Sequence, residues 1–314
     1  MQSSQSKWPG IAMALASAIL FSTLAIFVKL AYRHQLTVNA VVVLRMTFAS
    51  LFLWLSVLLN RRERQNWKIA AADWPALIGG VILTYGVSEF TYFTGLQFLP
   101  AGVAIFLIYL YPVLVVFIAY FLYNEPPTWR KIGVAAVCLL GCAILSFKPD
   151  GGFSFSGWGI SLILISALCI ALYSAFSQKL LKSYSPTVIS AWTVMPVGAV
   201  FLLIDSPNLS GYLNFPAAAW FIMLGAAFFA TFVSLILFFR AVVHIGAAHT
   251  ALLSTIEPVS TALLASWILG EQMSRWQRLG AALILGGLII LEWSAKEKFN
   301  LKRKAENFTN PISN

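Results

Sequence analysis

The sequence predicts an all-α integral membrane protein of ten transmembrane helices, arranged as two inverted five-helix repeats. Three observations lead to this fold class. Hydrophobic residues make up 60% of the 314 residues and charged residues only 10%, far outside the range of soluble proteins. The apolar residues form ten blocks of about 20 residues, the length at which a helix crosses about 30 Å of hydrocarbon. The first five blocks also resemble the second five in sequence.

The predicted spans follow one another with only short loops between them. In chain order they cover residues 9–30, 38–59, 74–96, 101–123, 130–147, 157–181, 187–204, 217–240, 247–269 and 276–293. The first span follows a single basic residue, Lys7, and lacks a small-residue cleavage site followed by a polar mature chain. We therefore interpret it as a retained helix rather than a signal peptide.

A shift of 146 residues superimposes the two halves of the chain. It aligns Trp74 with Trp220, Gly79 with Gly225, Ser88 with Ser234, Ala101 with Ala247, Pro112 with Pro258 and Glu125 with Glu271. Biased composition alone would not align two Trp, two Pro and two Glu in one register. We predict a first repeat over 9–148, a second over 157–294, and a basic cytoplasmic tail over 295–314. Each repeat has an odd number of spans, so the second must be inverted relative to the first.

The basic residues predict the orientation in the membrane. With the N-terminus inside, 15 of the 21 Lys and Arg residues fall on the inner side and five on the outer side, and Arg45 lies within the second span. This bias places both termini in the cytoplasm. It explains the net charge of +10 better than nucleic-acid binding does, because no soluble module presents the charge. We expect the tail to be solvated, with contact to anionic lipid as the alternative.

Inverted repeats are typical of transporters, because two related halves can exchange conformations and open a midplane site to each side in turn. A duplication that left no function behind is the alternative. The segment AGVAIFLIYLYPVLVVFIAYFLYNEPPTWRKIG and its counterpart AAHTALLSTIEPVSTALLASWILGEQMSRWQRLG resemble the two EamA repeats of the drug/metabolite transporter (DMT) superfamily. The resemblance covers nearly the whole chain. It implies ten helices, a central cavity, and secondary transport or exchange of small organic metabolites, often efflux of amino acids.

Two prolines interrupt the apolar pattern at equivalent places of the repeats. Pro112 and Pro258 lack the N–H that the carbonyls of Ile108 and Ser254 would otherwise receive. Such breaks are tolerated in membranes where they face a polar neighbour or a water-filled cavity. We expect the two helix breaks to approach each other and to form part of a substrate site.

Glu257 directly precedes the second helix break. It lies about 15 Å from the start of its span, close to the bilayer centre. A carboxylate at that depth must be paired, exposed to a cavity or protonated, and it can couple proton movement to substrate movement. The alternative is a structural carboxyl that hydrogen-bonds the broken backbone. Tyr111 occupies the equivalent place in the first repeat, so a coupling role would be asymmetric.

Arg45 and Glu89 fall at similar depths in the second and third spans and can pair. We weigh two roles equally: an ion pair that only steadies the bundle, or an Arg that binds a substrate carboxylate with Glu89 as its counter-ion. The other predicted substrate-binding residues are Tyr85, Tyr92, Tyr109, Tyr111, Ser88, Gln178, Trp192 and Ser254. For each polar group alone, bonding between helices is the alternative.

The acids at the span ends, Glu125 and Glu271, are assigned a structural role beside the helix caps Thr128 and Ser274. Glycines of the third and tenth spans are expected to allow close helix packing, with a homodimer face as the alternative.

The chain has no P-loop, HExxH or GxSxG motif and no carboxylate-rich metal set, so we predict no enzymatic activity, no cofactor and no direct use of ATP. The predicted function is a secondary transporter of small organic metabolites, with amino acids as the first class to consider, in a bacterial inner membrane. The alternative is a non-transporting membrane scaffold or sensor that keeps the fold.

Overall fold

The computed structural model describes residues 7–99, 101–124, 128–146, 156–270 and 272–291. Helices make up all the regular secondary structure in these ranges. Eight of them are long and apolar enough to cross a membrane, which confirms the predicted fold class. The tail and the acids Glu125 and Glu271 lie outside the described residues.

We number the long helices in chain order. They are α1 Trp8–Arg33, α2 Val38–Leu59, α3 Ala71–Gly95, α4 in two pieces Ala101–Ile108 and Tyr111–Tyr123, α5 Trp129–Ser146, α6 Gly157–Leu180, α7 Pro186–Ile204, α8 Ala217–Ile245, α9 Ala247–Leu269, and α10 over 275–291. The eight spans that meet the length and hydropathy requirement are all of these except α5 and α10. The helix α8 runs past the predicted end at Arg240 to Ile245.

The two repeats are packed crosswise. Helix α1 of the first repeat packs against α8 and α9 of the second, and α6 of the second repeat packs against α3 and α4 of the first. Helices α2 and α7 pack against each other. These contacts of α1, α2, α6 and α7 correspond between the repeats, which fits the inverted-repeat layout.

Two pairs of serines join the repeats at equivalent places. The Ser17 hydroxyl donates to the Ser234 carbonyl at 2.7 Å, and the Ser234 hydroxyl donates to the Ser17 carbonyl at 3.0 Å. In the related pair, the hydroxyls of Ser88 and Ser166 lie 2.9 Å apart, and the Ser166 hydroxyl donates to the Ser88 carbonyl at 2.9 Å. Such bonds stabilise helix contacts in an apolar surrounding, and here they connect α1 to α8 and α3 to α6.

Glycine permits close approach where these same helix pairs meet near their ends. A Cβ on Gly10 would lie 2.7 Å from the Cβ of His244, and a Cβ on Gly159 would lie 2.8 Å from the Cβ of Phe98. Both positions admit only a glycine without displacement of a neighbour. The predicted packing role is confirmed for Gly280 of α10, where a Cβ would lie 2.5 Å from the Gly141 carbonyl. It is wrong for Gly79 and Gly286, where a Cβ would meet no atom within 4 Å.

Helices α4 and α9 are both broken before their prolines, as expected. In α9, a 3-10 turn over Ser254–Ile256 separates Ala247–Leu253 from Glu257–Leu269. The Ser254 carbonyl is satisfied within that turn by the N–H of Glu257, so the freed carbonyl is not left for a ligand. Both helices also end in a left-handed residue, Asn124 at φ 52° and Gly270 at φ 72°.

An acidic residue that follows each of α2 and α7 accepts a hydrogen bond from the start of the other helix. Glu63, after α2, accepts a hydrogen bond from Ser185, which caps α7. Asp205, at the end of α7, accepts from Asn39 in the first turn of α2 at 3.3 Å. We call these two contacts the end clasps. They are related by the same symmetry as the repeats.

Asp205 is the more highly coordinated of the two clasp acids. It is buried and also accepts from Asn208 at 2.8 Å and from the Tyr212 hydroxyl. Burial by itself raises the pKa of Asp205, but hydrogen bonds from Tyr212, Asn208 and Asn39 outweigh it, so the net pKa lies below the ordinary value. Burial and the bond to Asp205 raise the pKa of Tyr212, which keeps that hydroxyl a donor.

The predicted caps of the last helix in each repeat are confirmed. The Thr128 hydroxyl accepts the Lys131 N–H at 3.3 Å, and the Ser274 hydroxyl accepts the Gln277 N–H at 3.2 Å. On the outer surface of the bundle, large apolar side chains such as Trp267 and Phe221 are exposed. A surface of this kind suits a lipid environment rather than water.

Candidate functional site

A cavity lies where three pairs of equivalent helices meet. Its wall is built from α1 and α6, α3 and α8, and α4 and α9, so each helix contributes together with its counterpart in the other repeat. The volume is about 140 Å³. The lining residues are Ser17, Ala18, Phe21, Tyr85, Ser88, Glu89, Tyr111, Ile170, Tyr173, Ser174, Thr231, Ser234, Leu235, Phe238, Ser254 and Glu257.

Glu257 reaches this cavity from the helix break in α9. It is the first residue of the piece Glu257–Leu269. Its carboxyl group is in hydrogen-bonding contact with the Tyr109 hydroxyl, and Tyr111 lies in the same cavity wall. Among the described residues, no basic side chain forms an ion pair with it.

Glu89 reaches the cavity from α3 and is held by Arg45. The Arg45 Nη2 donates to the Glu89 carboxylate at 2.7 Å, and the Tyr85 hydroxyl is in hydrogen-bonding contact with the same carboxylate. Arg45 is 1% exposed and is not among the residues that line the cavity. The predicted pairing of Arg45 with Glu89 is confirmed, and the arginine stands behind the acid as its counter-ion.

Two hydroxyl groups of the cavity wall have no hydrogen-bond partner within the part of the chain that the structure describes. They belong to Tyr173 of α6 and Thr231 of α8, which are 5% and 2% exposed. The Tyr173 ring packs on Tyr85 with ring centroids 5.1 Å apart. A buried polar group without a partner is destabilising by about 1–3 kcal/mol, so these hydroxyls are suited to meet a polar occupant of the cavity.

The structure brings six of the predicted site residues to the cavity wall. They are Tyr85, Ser88, Glu89, Tyr111, Ser254 and Glu257. Pro112 and Pro258 are buried next to Tyr111 and Glu257, where the helix breaks aim those two side chains inward. Tyr109 lies just outside the wall, against Glu257.

The remaining predicted residues have contacts away from the cavity wall. Tyr92 packs in a small cluster with Leu99 and Ile163. Gln178 accepts the N–H of Ala247 through its side-chain oxygen and so caps the start of α9. The Trp192 indole N–H donates to the Trp67 carbonyl at 3.0 Å, and its ring stacks on the ring of Trp67. For Gln178 and Trp192 these are structural contacts.

The sequence analysis missed five of the eleven polar residues that line the cavity. Ser17, Tyr173, Ser174, Thr231 and Ser234 were not predicted. The shift of 146 residues would have indicated two of them, because Ser234 is equivalent to Ser88 and Thr231 to Tyr85. The described residues contain no group of His, Cys, Asp or Glu able to hold a metal ion.

Comparisons with known proteins cover nearly the whole chain. The EamA-like transporter family matches it twice, over residues 8–147 and 157–293. An uncharacterized transporter of Archaeoglobus fulgidus is 25% identical over 91% of this chain and 98% of its own length. A solved crystal structure superimposes with a TM-score of 0.76 at 21% identity, covering 93% of this chain and 99% of the other, which supports the fold.

Two relatives whose names include a function align with smaller parts of this chain. A probable terminal-alkyne amino-acid exporter of Streptantibioticus cattleyicolor is 28% identical over 61% of this chain and 64% of its own length. An S-adenosylmethionine uptake transporter of Rickettsia prowazekii is 21% identical over 73% of this chain and 75% of its own length.

Proposed function

This chain belongs to the EamA-like transporter family, within the DMT superfamily, and we propose that it moves small organic metabolites by alternating access around the cavity that holds Glu257. As a member of that family it is an integral membrane transporter rather than an enzyme. One observation carries the finer proposal: the cavity is enclosed by three pairs of equivalent helices, as a site must be if two halves are to exchange conformations around it.

The proposed movement is a rocking of the two repeats. Because α1 and α6 each pack across to the other repeat, a shift of one repeat relative to the other changes which end of the cavity is covered. The helix breaks before Pro112 and Pro258 supply the points at which α4 and α9 can bend. Both repeats carry such a break at the same place, so either end can open by the same deformation.

Glu257 is proposed as the proton-coupling group. An ionised carboxyl that faces an apolar cavity is costly unless a cation or a proton compensates it. The titratable groups around it are Tyr92, Tyr109, Tyr111 and Cys142, and Glu89 faces the same cavity. Substrate and proton would compete for the same carboxyl group, and that competition couples their movements.

Arg45 and Glu89 are proposed as a fixed pair that keeps α2 and α3 in register. Ser88, Ser254, Tyr85 and Tyr111 would supply hydrogen bonds and ring surface to the substrate. Amino acids are the first substrate class to test, since one relative is named as an exporter of an amino acid. We also propose a bacterial inner membrane with both termini cytoplasmic, and repeat boundaries at 9–148 and 157–294.

The test is counterflow of labelled amino acids and of their carboxyl-blocked amides in liposomes that contain the purified protein. We expect saturable exchange for at least one of them, and at least a tenfold loss of flux driven by a pH gradient in Glu257→Gln. Glu63→Gln removes one carboxylate outside the cavity but keeps a side-chain oxygen that can accept from Ser185, so this matched control should keep normal flux. Full pH-driven flux in Glu257→Gln would refute proton coupling.

An absence of saturable flux for every metabolite tried would refute transport itself. In that case the scaffold or sensor alternative would require a protein partner that co-purifies with the chain and no bound metabolite.

A further inference from the structure

The charge balance of the cavity wall narrows the class of substrate. The lining contains two carboxyl groups, those of Glu89 and Glu257, and no Lys, Arg or His. Arg45 compensates Glu89 at 2.7 Å from behind the wall. Glu257 is left as the acid of the wall whose ionised form has no compensating cation among the described residues. A positively charged ligand would supply the missing charge.

A substrate carboxylate finds no such partner. Any carboxylate inside the cavity would face two wall carboxyls and no lining base. Arg45 is already engaged and 1% exposed, and its free Nη1 atom lies outside the lining. Because like charges repel strongly at low dielectric constant, the wall disfavours anions and the anionic end of a zwitterion.

The ring lining favours the same charge. Five aromatic side chains face the cavity, namely Phe21, Tyr85, Tyr111, Tyr173 and Phe238. Aromatic faces attract ammonium groups through their quadrupole, and the attraction grows when the cation is desolvated. A carboxylate combined with aromatic rings and without a base is the composition that an ammonium site needs.

The unpartnered hydroxyls provide the remaining bonds. Tyr173 and Thr231 belong to helices of the second repeat, as Glu257 does, and each is more than nine-tenths buried in the same wall. The ammonium group of a ligand can meet the Glu257 carboxylate, while the two hydroxyls are available to other polar groups of the same ligand. The Ser17 and Ser234 hydroxyls already bond each other, and the Ser88 hydroxyl bonds that of Ser166.

We infer that the substrate is a primary amine cation with an apolar body and no free carboxylate, that its ammonium group binds Glu257, and that its other polar groups meet the Tyr173 and Thr231 hydroxyls of the same cavity. This inference rests on the proposed transport function and deepens it. It separates amines and carboxyl-blocked amino acids from free amino acids, which share the ammonium group but carry the carboxylate that the wall disfavours.

The experiment uses matched pairs of ligands with the full-length protein in detergent. Each pair is an amino acid and its amide, which differ in the carboxylate alone, over the range of natural side chains. Binding is measured by tryptophan fluorescence and by thermal shift, since a ligand that binds the folded state raises its stability. We expect amides to bind at least about tenfold more tightly than the free acids, because only the free acids place a carboxylate against the acidic wall.

Three variants locate the effect. Glu257→Gln should abolish the preference for the amide, whereas Glu63→Gln, outside the cavity, should keep it. Thr231→Val should weaken binding of the amide several-fold and retain the preference. The comparison of ligand pairs on the unaltered protein stands even if a variant fails to fold.

The outcomes separate this inference from the function on which it rests. Tighter binding of the free amino acids, equal binding within every pair, or no binding of any amine would overturn the inference. Saturable counterflow of free amino acids, or of another metabolite, would in those cases leave the transport function standing. Counterflow of the amides that is blocked in Glu257→Gln would support both.

Discussion

The first and second repeats have the same backbone plan but different chemistry. Both have a broken helix at the cavity, yet the break presents Tyr111 in the first repeat and Glu257 in the second. At another equivalent pair of positions the first repeat has Glu89 and the second has Leu235, and both line the cavity. The shape needed for alternating access is thus duplicated, while each charged group occurs once.

This difference shows that conformational exchange and substrate recognition place different requirements on the sequence. Exchange of conformations needs equal packing in the two halves, and the serine pairs and end clasps are equal in that sense. Recognition of one substrate needs a charge in one place, since two equivalent acids at the cavity centre would repel each other. Substitutions that make the repeats more alike, or less alike, test this division.

The largest effect is expected where the first repeat has an ion pair and the second has a leucine. Arg45→Met leaves the Glu89 carboxylate, which is 14% exposed, without its cation and should destabilise the protein by up to about 3–5 kcal/mol. The double variant Arg45→Met with Glu89→Leu copies the apolar side chain of the second repeat, and most of the loss should be recovered. Thermal unfolding in detergent measures both.

The control for this prediction is Arg62→Met, the same substitution at an exposed position. It should leave the unfolding temperature unchanged. If the double variant were as unstable as Arg45→Met alone, the pair would have a role that a leucine cannot replace, and the comparison of the repeats would fail here.

The next effect concerns the end clasps, which share a position but differ in the number of donors. Asp205→Asn should lower stability at neutral pH by about 1.5–3 kcal/mol, because bonds to a charged acceptor are lost. Since hydrogen bonding holds the pKa of Asp205 below its ordinary value of about 3.9, its contribution is complete above that pH and disappears as pH falls further.

The measurement is the difference in unfolding temperature between the natural chain and Asp205→Asn, recorded from pH 7 downward. The difference should shrink only below about pH 4. A difference that is constant with pH would show that the carboxylate charge contributes nothing and that shape alone matters in this clasp.

The smallest effect should be equal in the two repeats. Replacing Ser88 or Ser234 by Ala removes the bonds that this hydroxyl makes and should reduce stability by about 0.6–1.7 kcal/mol in each case. The double variant Ser88→Ala with Ser166→Ala should be less stable than Ser88→Ala, because the Ser166 hydroxyl can still donate to the Ser88 carbonyl until it too is removed. Unequal losses for Ser88 and Ser234 would contradict the structural equivalence of these contacts.

The spans and the repeat were open to prediction because they depend on properties that the chain shows directly. Hydropathy determines which segments cross lipid, and the paired Pro112 and Pro258 mark the helix breaks. Glu257 was identifiable by the same logic, since an acid inside an apolar run is costly and needs a reason. The Arg45 and Glu89 pair followed from their similar depths.

The rest of the wall depends on which face of each helix turns inward. Gln178 and Trp192 have the same polar character as Ser254, but their contacts are with Ala247 and Trp67. Tyr173 lies within a run of apolar and small residues and has no sequence feature that separates it from a tyrosine facing lipid. The orientation of each helix about its own axis is determined by contacts between the repeats, and a local sequence pattern does not contain this information.

The serine pairs have a consequence for how the protein is made. Ser17 and Ser88 are synthesised and placed in the membrane long before their partners Ser234 and Ser166 leave the ribosome. The early helices must therefore remain inserted, individually stable and unassembled, until the second half of the chain arrives. Biogenesis thus separates insertion from assembly in time, and the nascent first half is the stage most exposed to quality-control proteases.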